Sequence, residues 1–399
     1  MSDEIADRLE DIKDRGLYRR LRCVSGPQGP RVLLDGRPVL LLCSNNYLGL
    51  ADHPRVREAA AEAAMRYGAG AGASRLVSGN MTIHRRLEER LAAFKGAEAC
   101  LLFGSGYLAN VGDVAALAGE GDVVFSDALN HASIVDGCRL SRAETFVYDH
   151  CDVDHLEWGL RQAEGRGALI VTDGVFSMDG DVAPLPAIVE LAQRYDARVM
   201  VDEAHGTGCV GPGGRGLVAE HGLEDDVDVV VGTLGKALGS YGAYVLSDRT
   251  MSKYLINSAR PLIFSTALPP PAVAAAGAAL ELLREQPRRV DKLQRNVRVL
   301  REALGAPSEA IDTPIVPLVV GEPDAAVAVS ERALERGVFA QAIRPPTVPA
   351  GTSRLRLAVM TSHTKSELRE AGRMLGAAAS ASARPAGPVR VFDGLADAA

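Results

Sequence analysis

The stretch DVVVGTLGKALGS (228–240) joins an apolar, β-branched run to a lysine set among small residues. The run predicts a buried strand that is covered on both faces. Lys236 follows it, with Gly235 and Gly239 on either side. A lysine in such a loop is most often solvated. The alternative is that the amine of Lys236 is kept free to react.

Five more runs of this kind lie between about residue 100 and residue 247. They are DVVFS (122–126), ETFVY (144–148), ALIVTD (168–173), ARVMVD (197–202) and GAYVLS (242–247). Helical patterns at 154–165 and 184–195 lie between them. Strands that alternate with helices predict repeated βα units and a mostly parallel sheet. The predicted fold class is therefore α/β: a large domain with a mostly parallel sheet flanked by helices, and a smaller α+β domain.

The segments on either side of this region predict the rest of the organisation. RVLLDG and PVLLLCSNNYLGL (38–50) predict a small hairpin after an opening helix, and further strands are expected near 315–320 and 354–359. The final residues are rich in Ala, Ser and Pro, which favours disorder. The predicted divisions are an N-terminal arm with the hairpin (1–50), a large domain (51–285), a small α+β domain (286–376) and a disordered tail (377–399).

The composition excludes several classes of protein. The 399 residues carry a net charge of -7, without the basic stripe that binds nucleic-acid phosphates. The acidic opening segment is unlike a secretion signal, and no apolar run reaches the length of a membrane span. Six scattered cysteines form no C-x-x-C pair, which indicates free thiols in a reducing compartment. We expect a cytoplasmic protein that binds neither nucleic acid nor membrane.

Reactive side chains follow four of the predicted strands. In a sheet of this kind, ligands bind beyond the carboxyl ends of the strands. Each residue alone has an ordinary explanation as a helix cap or a solvated loop residue. Their common position at one edge favours a functional site. The residues are Asp127, Asn130 and His131, then Asp173 and Ser177, then Asp202 and His205, and finally Lys236.

A lysine, a carboxylate and a histidine in this arrangement favour pyridoxal phosphate (PLP) as the cofactor. The amine of Lys236 would form an imine with the PLP aldehyde, and the carboxylate of Asp202 would keep the ring nitrogen protonated. The segment FGSGYLAN (103–110) opens a predicted helix. The backbone N–H groups of Gly106 and Tyr107 could receive the phosphate at the positive end of that helix.

Two other motifs suggest ligands that we do not predict. GAGAGASRLVSGN (68–80) has the glycine spacing of a dinucleotide loop, but no strand precedes it, so it does not indicate nicotinamide binding. DHCDVDH (149–155) has the composition of a metal site. Neighbouring residues of one short loop cannot easily converge on an ion, however, and Asp152 or Asp154 is explained as a helix N-cap. No metal is predicted.

Eight motifs, in this order along the chain, resemble the α-oxoamine synthases. These are fold-type-I PLP enzymes that condense an amino acid with an acyl thioester and release CO2. The resemblance covers almost everything except the first residues and the tail. The motifs are NNYLGL, ASRLVSGN, DALNHASIVDGCRLS, TDGVFSMDGDVAPL, VDEAHGTGCVGPGGRG, GTLGKALGS, RPLIFSTALPP and AIRPPTVPAGTSRLRL.

The resemblance implies a role for each residue of the cofactor site. Lys236 would carry the internal aldimine, Asp202 would pair with the pyridinium nitrogen, and His131 would stack on the ring. Ser177 and His205 would lie near the ring oxygen. The phosphate would be held by Gly106, Tyr107 and Thr233. Many relatives have Asp in place of Glu203, but side chains alternate along a strand, so Glu203 should point away from the site.

The resemblance also implies substrate residues and a shared active site. Asn45 and Arg356 would hold the carboxylate of the amino acid, and Arg19 and Arg344 would face the acyl donor. Thr266 would reach the phosphate in the neighbouring subunit. The active unit is therefore expected to be a homodimer.

Within the family, ASRLVSGN together with AIRPPTVPAGTSRLRL is most similar to the member that joins L-alanine to a pimeloyl thioester, carried by coenzyme A or by a carrier protein. The member that uses glycine and acetyl-CoA fits GTLGKALG and DALNHASI equally well. A PLP-dependent aldolase or aminotransferase would use the same cofactor, and a noncatalytic partner subunit would share the fold. The presence of Lys236 argues against the noncatalytic subunit.

Overall fold

The computed structural model describes residues 2–307 and 309–380. No helix in these ranges is both long and apolar enough to cross a bilayer. The strands are β1 (Val24–Ser25), β2 (Arg31–Leu34), β3 (Arg37–Leu41), β4 (Ala99–Phe103), β5 (Val123–Asp127), β6 (Glu144–Tyr148), β7 (Ala168–Asp173), β8 (Arg198–Asp202), β9 (Val229–Thr233), β10 (Ala243–Ser247), β11 (Ile315–Gly321), β12 (Val338–Phe339), β13 (Gln341–Ile343) and β14 (Ser353–Ala358). The α-helices are α1 (Ser2–Asp14), α2 (Pro54–Tyr67), α3 (Thr82–Lys95), α4 (Gly106–Leu117), α5 (Ala132–Ser141), α6 (Val153–Gln162), α7 (Leu185–Arg194), α8 (Leu217–Glu220), α9 (Arg249–Ser258), α10 (Arg260–Phe264), α11 (Pro270–Glu285), α12 (Arg288–Leu304), α13 (Pro323–Glu335) and α14 (Lys365–Ser380).

Seven strands form the central sheet, in the order β4-β10-β9-β8-β7-β5-β6. The pairs from β9 through β6 are parallel, whereas β10 runs antiparallel to both of its neighbours. All six runs predicted as strands in this region are present, and helices α6 and α7 lie where the helical patterns indicated. The α/β prediction with a mostly parallel sheet is confirmed.

Both faces of the central sheet are covered, which explains its continuous apolar runs. Val171 and Met200 belong to one buried cluster with residues of α4, α5 and α9. Ile170 and Val199, their neighbours in sequence, belong to the other cluster with residues of α7 and α11. Each fully buried aliphatic side chain contributes roughly 1.5–3 kcal/mol relative to an exposed one. Burial on both faces therefore stabilises the sheet and holds in place the edge at which its parallel strands end.

Two smaller sheets lie outside this core. The predicted hairpin is present as β2 and β3, and β3 also pairs in parallel with β12, with Leu40 opposite Val338. The third sheet is antiparallel, in the order β11-β14-β13. The hairpin thus shares a sheet with a segment from the C-terminal third of the chain. The proposed divisions at residues 50 and 285 remain predictions.

The predicted start of the disordered tail is wrong by at least four residues. Helix α14 continues to Ser380, beyond the predicted limit at residue 376. Residues 377–379 are alanines, which have the highest helix propensity, and they extend a helix whose Leu375 is fully buried. The rest of the predicted tail, 381–399, lies outside the described residues.

Candidate active site

The carboxyl ends of the parallel strands open onto a cavity of about 160 Å³. Strands β7 and β8 end side by side, with Asp173 paired opposite Asp202, and β9 ends at Thr233. Eight of the nine residues predicted to hold the cofactor line this cavity. They are Gly106, Tyr107, His131, Ser177, Asp202, His205, Thr233 and Lys236.

Lys236 projects into this cavity from the loop after β9. Its Nζ lies 2.8 Å from Nε2 of His205. Burial lowers the pKa of Lys236 to about 8, against the opposing effect of the Asp202 and Asp173 carboxyl groups. The loop is confined at Gly239, which has a φ of 59° and where an added Cβ would lie 2.4 Å from the backbone nitrogen of Ala51. The amine is therefore held in place and loses its proton more readily than an exposed lysine does.

The carboxylate of Asp202 is held by two donors. Asn110, on α4, donates from Nδ2 to Oδ2 of Asp202 over 2.6 Å, and the backbone N–H of Ala204 donates to Oδ1 over 2.8 Å. The same Asn110 nitrogen also donates to the hydroxyl of Ser133. Asp202 is thus fixed in orientation with its carboxylate at the cavity wall.

His131 forms the N-cap of α5 and also lines the cavity. Its backbone N–H donates to Asp173 over 2.9 Å, and its Nδ1 lies 2.7 Å from the hydroxyl of Ser133. Burial, and then the nearby Asp202 carboxylate, raise the pKa of Asp173 well above its ordinary value. Burial lowers the pKa of His131, so the ring is neutral near pH 7. A neutral imidazole in this position can lie against a flat ligand without strong charge repulsion.

A second cavity of about 280 Å³ adjoins the first. His131, Ser177, His205 and Lys236 line both. Lys236 therefore stands in the shared wall. The residues that line the second cavity but not the first are Cys43, Asn45, Met178, Gln341, Ile343 and Arg356. Burial raises the pKa of Cys43 to about 12, so this wall presents a neutral thiol.

A chain of hydrogen bonds links Lys236 to Arg356 through this second cavity. Nδ1 of His205 lies 2.7 Å from the hydroxyl of Tyr47, which donates to Oδ1 of Asn45 over 3.0 Å. Burial lowers the pKa of His205 well below its ordinary value, and the charges of Lys236 and Arg356 act in the same direction. A neutral His205 with its proton on Nδ1 satisfies every atom, because Nε2 then accepts from Lys236.

Arg356, on β14, is fixed by three acceptors. Its Nε donates to the carbonyl oxygen of Ser177, one terminal nitrogen donates to Asn45 over 3.1 Å, and the other donates to Tyr47 over 3.2 Å. A guanidinium carries five N–H groups, so two remain, one on each terminal nitrogen. That pair has the geometry that binds a carboxylate in bidentate fashion.

Arg19 and Arg344 lie elsewhere, in a cavity of about 720 Å³. Arg19 is exposed, whereas Arg344 donates to the carbonyl oxygens of Gly16 and Tyr18 and so anchors the N-terminal segment. This cavity shares Gln341 and Ile343 with the 280 Å³ cavity. Strand β13, to which both residues belong, therefore borders both spaces.

Thr266 is the one predicted cofactor residue that the chain does not bring to the cavity. It is exposed and pairs with Ser74 in an isolated antiparallel bridge. The backbone N–H of Ala267 donates to the carbonyl oxygen of Ala73 beside it. The motifs ASRLVSGN and RPLIFSTALPP therefore lie against each other at the surface, away from Lys236.

The residues of the motif DHCDVDH have two different roles. Asp152 caps helix α6 by accepting from the backbone N–H of His155, as predicted. His150 instead points to Asp127, and a potential ligand atom from each of Asp127, His150 and Cys151 lies within 4.8 Å of the others. The fold also brings Asp127, at the end of β5, against the motif, which the local sequence did not indicate. The prediction that no metal binds here is not tested by this geometry.

Glu203 points away from the cavity, as its place on the strand predicted. Its Oε1 accepts from the backbone N–H of Val218 over 2.7 Å, and the side chain is fully buried. Glu203 does not line the 160 Å³ cavity.

Sequence reasoning missed three polar residues of the site. Tyr47 follows Asn45 by two positions in NNYLGL, and its hydroxyl joins two predicted residues. Asn110 follows Gly106 by four positions, which places both on one face of α4. Ser133 links His131 to Asn110. Of these three residues, only Asn110 could have been predicted from the sequence, from its helical spacing to Gly106.

The residues at the 160 Å³ cavity fit a phosphorylated pyridine. Gly106 and Tyr107 are the first residues of α4, where backbone N–H groups have no partner within the helix. A Cβ added at Gly106 would meet no protein atom within 4 Å, so the cavity is open beside those donors. Oδ1 of Asn110 is buried without a hydrogen-bond partner at the same wall. The cavity thus offers an anion site together with a carboxylate and an amine.

The chain is similar to known proteins over most of its length. The family model "Aminotransferase class I and II" matches residues 37–375. An 8-amino-7-oxononanoate synthase from Geobacter sulfurreducens is 55% identical over 377 residues, which are 93% of this chain and 96% of that protein. A structure of SPT with a PLP internal aldimine has a TM-score of 0.89 and 33% identity, and the match covers 95% of this chain and 98% of that one. The structure of 8-amino-7-oxononanoate synthase from Francisella tularensis has a TM-score of 0.75 and 25% identity, over 86% of this chain and 98% of that one. The chain therefore belongs to the aminotransferase class I and II family of fold-type-I, PLP-dependent enzymes and, within it, to the α-oxoamine synthases.

Proposed function

We propose that this protein condenses L-alanine with a pimeloyl thioester, releasing CO2 and the free thiol of the carrier, to form 8-amino-7-oxononanoate in biotin biosynthesis. Three relatives that bear the name of this product are 55%, 54% and 52% identical over 92–94% of the chain. The structural observation that carries the proposal is the position of Lys236. Its amine lies in the wall shared by two cavities and can serve both.

The cavity of this chain offers groups for the ring, the aldehyde and the phosphate of PLP. The carboxylate of Asp202 would face the ring nitrogen, and the neutral ring of His131 would lie against the pyridine. The backbone N–H groups at the start of α4 would bind the phosphate. The remaining groups are Thr233 for the phosphate, Ser177 and His205 for the ring oxygen, and Lys236 for the aldehyde.

Lys236 acts as the general base. When bound, PLP withdraws electrons from the Cα of the amino acid and so makes its proton acidic. The lowered pKa of Lys236 makes the neutral amine available near physiological pH. A positioned base contributes about 10²–10⁴-fold to the rate. His205 holds this amine from one side, which keeps it close to the face at which the proton is removed.

Arg356 and Asn45 bind the carboxylate of L-alanine. Arg356 lines the 280 Å³ cavity with two N–H groups unused, and the other three are held by Ser177, Asn45 and Tyr47. Because the guanidinium cannot rotate without breaking these bonds, it fixes the amino acid in one orientation. That orientation decides which bond of Cα is presented to Lys236.

The acyl donor approaches from the 720 Å³ cavity. Arg19 and Arg344 line this space, and a donor of this class carries anionic groups that arginines bind. Gln341 and Ile343 form the boundary with the amino-acid cavity. An extended acyl chain laid across β13 would bring its thioester carbonyl toward Lys236.

We also propose that the enzyme is a cytoplasmic homodimer with shared active sites. Leu76, Val77 and Phe264 are 55%, 79% and 71% exposed, and they lie in the two motifs joined by the bridge from Ser74 to Thr266. Clustered exposed apolar side chains are typical of an interface. Dimerisation across this surface would cover them and present Thr266 to the partner's phosphate site. The six cysteines form no disulfide in the described residues, which suits a reducing compartment.

The experiment that tests the reaction compares substrate pairs on the purified holoenzyme. We expect kcat/KM for L-alanine with pimeloyl-CoA to exceed that for glycine with acetyl-CoA, and mass spectrometry to identify 8-amino-7-oxononanoate. One methyl group provides only about 1–3 kcal/mol of discrimination, so the acyl chain should provide the larger part. A clear preference for the glycine pair, or amino-group transfer without release of coenzyme A, would contradict the proposal.

A further inference from the structure

We propose that His150 is a positioning residue that ties together the two loops bordering the amino-acid cavity. Its imidazole bridges the carboxylates of Asp127 and Asp181, one in each loop. This inference rests on the proposed function, because it assigns that cavity to L-alanine. His150 itself lines neither cavity of the site.

Both ring nitrogens of His150 are hydrogen-bonded to carboxylate oxygens. Nδ1 lies 2.9 Å from Oδ1 of Asp127, and Nε2 lies 2.6 Å from Oδ2 of Asp181. A carboxylate only accepts, so both nitrogens must carry protons and the ring is positively charged. Burial opposes this charge, but the hydrogen bonds to the two carboxylates outweigh it and raise the pKa of His150 well above its ordinary value. The edge of the ring also packs against Phe176, with 4.4 Å between centroids.

The Asp127 end of the bridge shapes the turn that leads to His131. Asp127 is the last residue of β5, and its carboxylate is almost fully buried. The oxygen that receives His150 also accepts from the backbone N–H of Leu129 over 2.8 Å. The backbone N–H of Asn130 donates to the carbonyl oxygen of Asp127. The turn therefore depends on the orientation of the Asp127 carboxylate, and His150 is one of the groups that hold this carboxylate.

The Asp181 end holds the loop that carries Ser177. The backbone N–H of Phe176 donates to the carbonyl oxygen of Asp181 over 3.0 Å, so the loop closes on itself. Within it, the carbonyl oxygen of Ser177 accepts from Nε of Arg356. Movement of this loop would move the guanidinium that is proposed to bind L-alanine. The side chain of Asp181 is 40% exposed, so His150 is its principal anchor to the core.

Loss of the bridge should therefore weaken amino-acid binding more than it slows catalysis. Lys236 and His205 are held by other contacts, so the proton transfer itself should change little. A shift of about 1 Å in a positioning group can cost up to about 10²-fold. We expect His150→Gln to raise the KM for L-alanine about tenfold or more, with a change in kcat of less than about threefold. General destabilisation would instead reduce kcat with an unaltered KM.

The test uses His150→Gln, Asp181→Asn and a matched control, all as holoenzymes. His155→Gln is the control, because His155 lies in the same motif and contacts Asp149, Phe146 and Trp158 but neither loop. Asp181→Asn weakens the bridge at its more exposed end, and so serves if His150→Gln does not fold. The measurements are KM and kcat for L-alanine, and amide hydrogen exchange of residues 174–183.

The expected result is a raised KM with faster exchange over 174–183 in both bridge variants, and wild-type values in His155→Gln. An unchanged KM in the bridge variants overturns the inference, even if exchange is faster. If the wild type does not use L-alanine, the proposed function fails separately, and exchange alone then decides whether the bridge holds the loop. A stoichiometric metal ion in the wild type that is lost in His150→Gln would also overturn the inference, because Asp127, His150 and Cys151 would then be ligands.

Discussion

Asn110 donates a 2.6 Å hydrogen bond to the carboxylate of Asp202 and so fixes, from helix α4, a group that strand β8 provides. The backbone N–H of Ala204 holds the other oxygen. Both donors set the direction in which the carboxylate faces the cavity. Asp202 is therefore placed by helix and strand together.

Replacement of Asn110 by Ala should reduce kcat/KM about 10-fold to 100-fold. A hydrogen bond to a charged group is worth about 1.5–3 kcal/mol, and each 1.36 kcal/mol corresponds to a factor of ten. The measurement is steady-state kinetics together with the cofactor absorbance spectrum, which should shift as Asp202 is released. Ser133→Ala removes the other acceptor of Asn110 and serves as the comparison. Wild-type kinetics in Asn110→Ala would show that Asp202 needs no support from α4.

Replacement of Lys236 by Ala should abolish turnover and the absorbance of the lysine-bound cofactor. The covalent link and the base are lost together. Lys253→Ala, on the exposed side of α9, is the matched control and should behave as wild type. Borohydride reduction followed by peptide mass spectrometry checks the site of attachment directly. An adduct on any other lysine would disprove the assignment.

Cofactor incorporation into the apoprotein should accelerate as pH rises through about 8. Only the neutral amine attacks an aldehyde, and burial lowers the pKa of Lys236 to about 8 from its ordinary value. The rate should increase below this pH and level off above it, whereas an exposed lysine would keep accelerating toward about pH 10.4. Stopped-flow absorbance after addition of PLP measures this, with a free alkylamine as the reference for titration of PLP itself. A profile that parallels the alkylamine would contradict the lowered pKa.

Two inactive variants should complement each other if Thr266 serves the partner's site. Thr266→Asp places a negative charge near the phosphate, which repels it, and Lys236→Ala removes the amine. A mixed dimer has one site with both changes and one with neither. Random mixing should therefore restore about one quarter of wild-type activity. Activity no higher than that of the separate variants would indicate that Lys236 and Thr266 do not share a site across a dimer.

Gly216→Ala should destabilise the protein much more than Gly213→Ala. Both glycines have positive φ, 100° and 62°, in the loop before α8. A Cβ at Gly216 would lie 2.2 Å from Oε2 of the buried Glu203, whereas one at Gly213 meets nothing within 4 Å. We expect a loss of about 1–2 kcal/mol at Gly213 and of more than about 3 kcal/mol at Gly216. Urea unfolding of both variants measures the difference, and equal losses would mean that Glu203 moves aside.

The sequence predicted the central sheet well because its strands are long, apolar runs between clear helices. Because parallel strands end at one edge of the sheet, the residues after them, including Asp202 and Lys236, could be predicted to lie at a common site. Strands β12 and β13 escaped prediction because two or three residues cannot display an alternating pattern.

The rest of the site depends on contacts between distant parts of the chain. Tyr47 and Arg356 are 309 positions apart. No local sequence pattern could predict that the hydroxyl of Tyr47 contacts both His205 and the guanidinium of Arg356. The pairing of His150 with Asp127 was missed for the same reason, since it requires the register of β5 beside β6. Local patterns identified which residues are reactive, whereas packing decided which of them meet.

The pairing of Asn45 with Arg356 spans 311 positions, and it sets an order of events during synthesis. The strands of the central sheet, which place Asp202 and Lys236, are all translated by residue 247. The arginine follows more than a hundred residues later, which takes roughly 5–20 s at usual ribosome speeds. The guanidinium proposed to bind the amino acid is therefore added to the chain well after the residues proposed to hold the vitamin-derived cofactor.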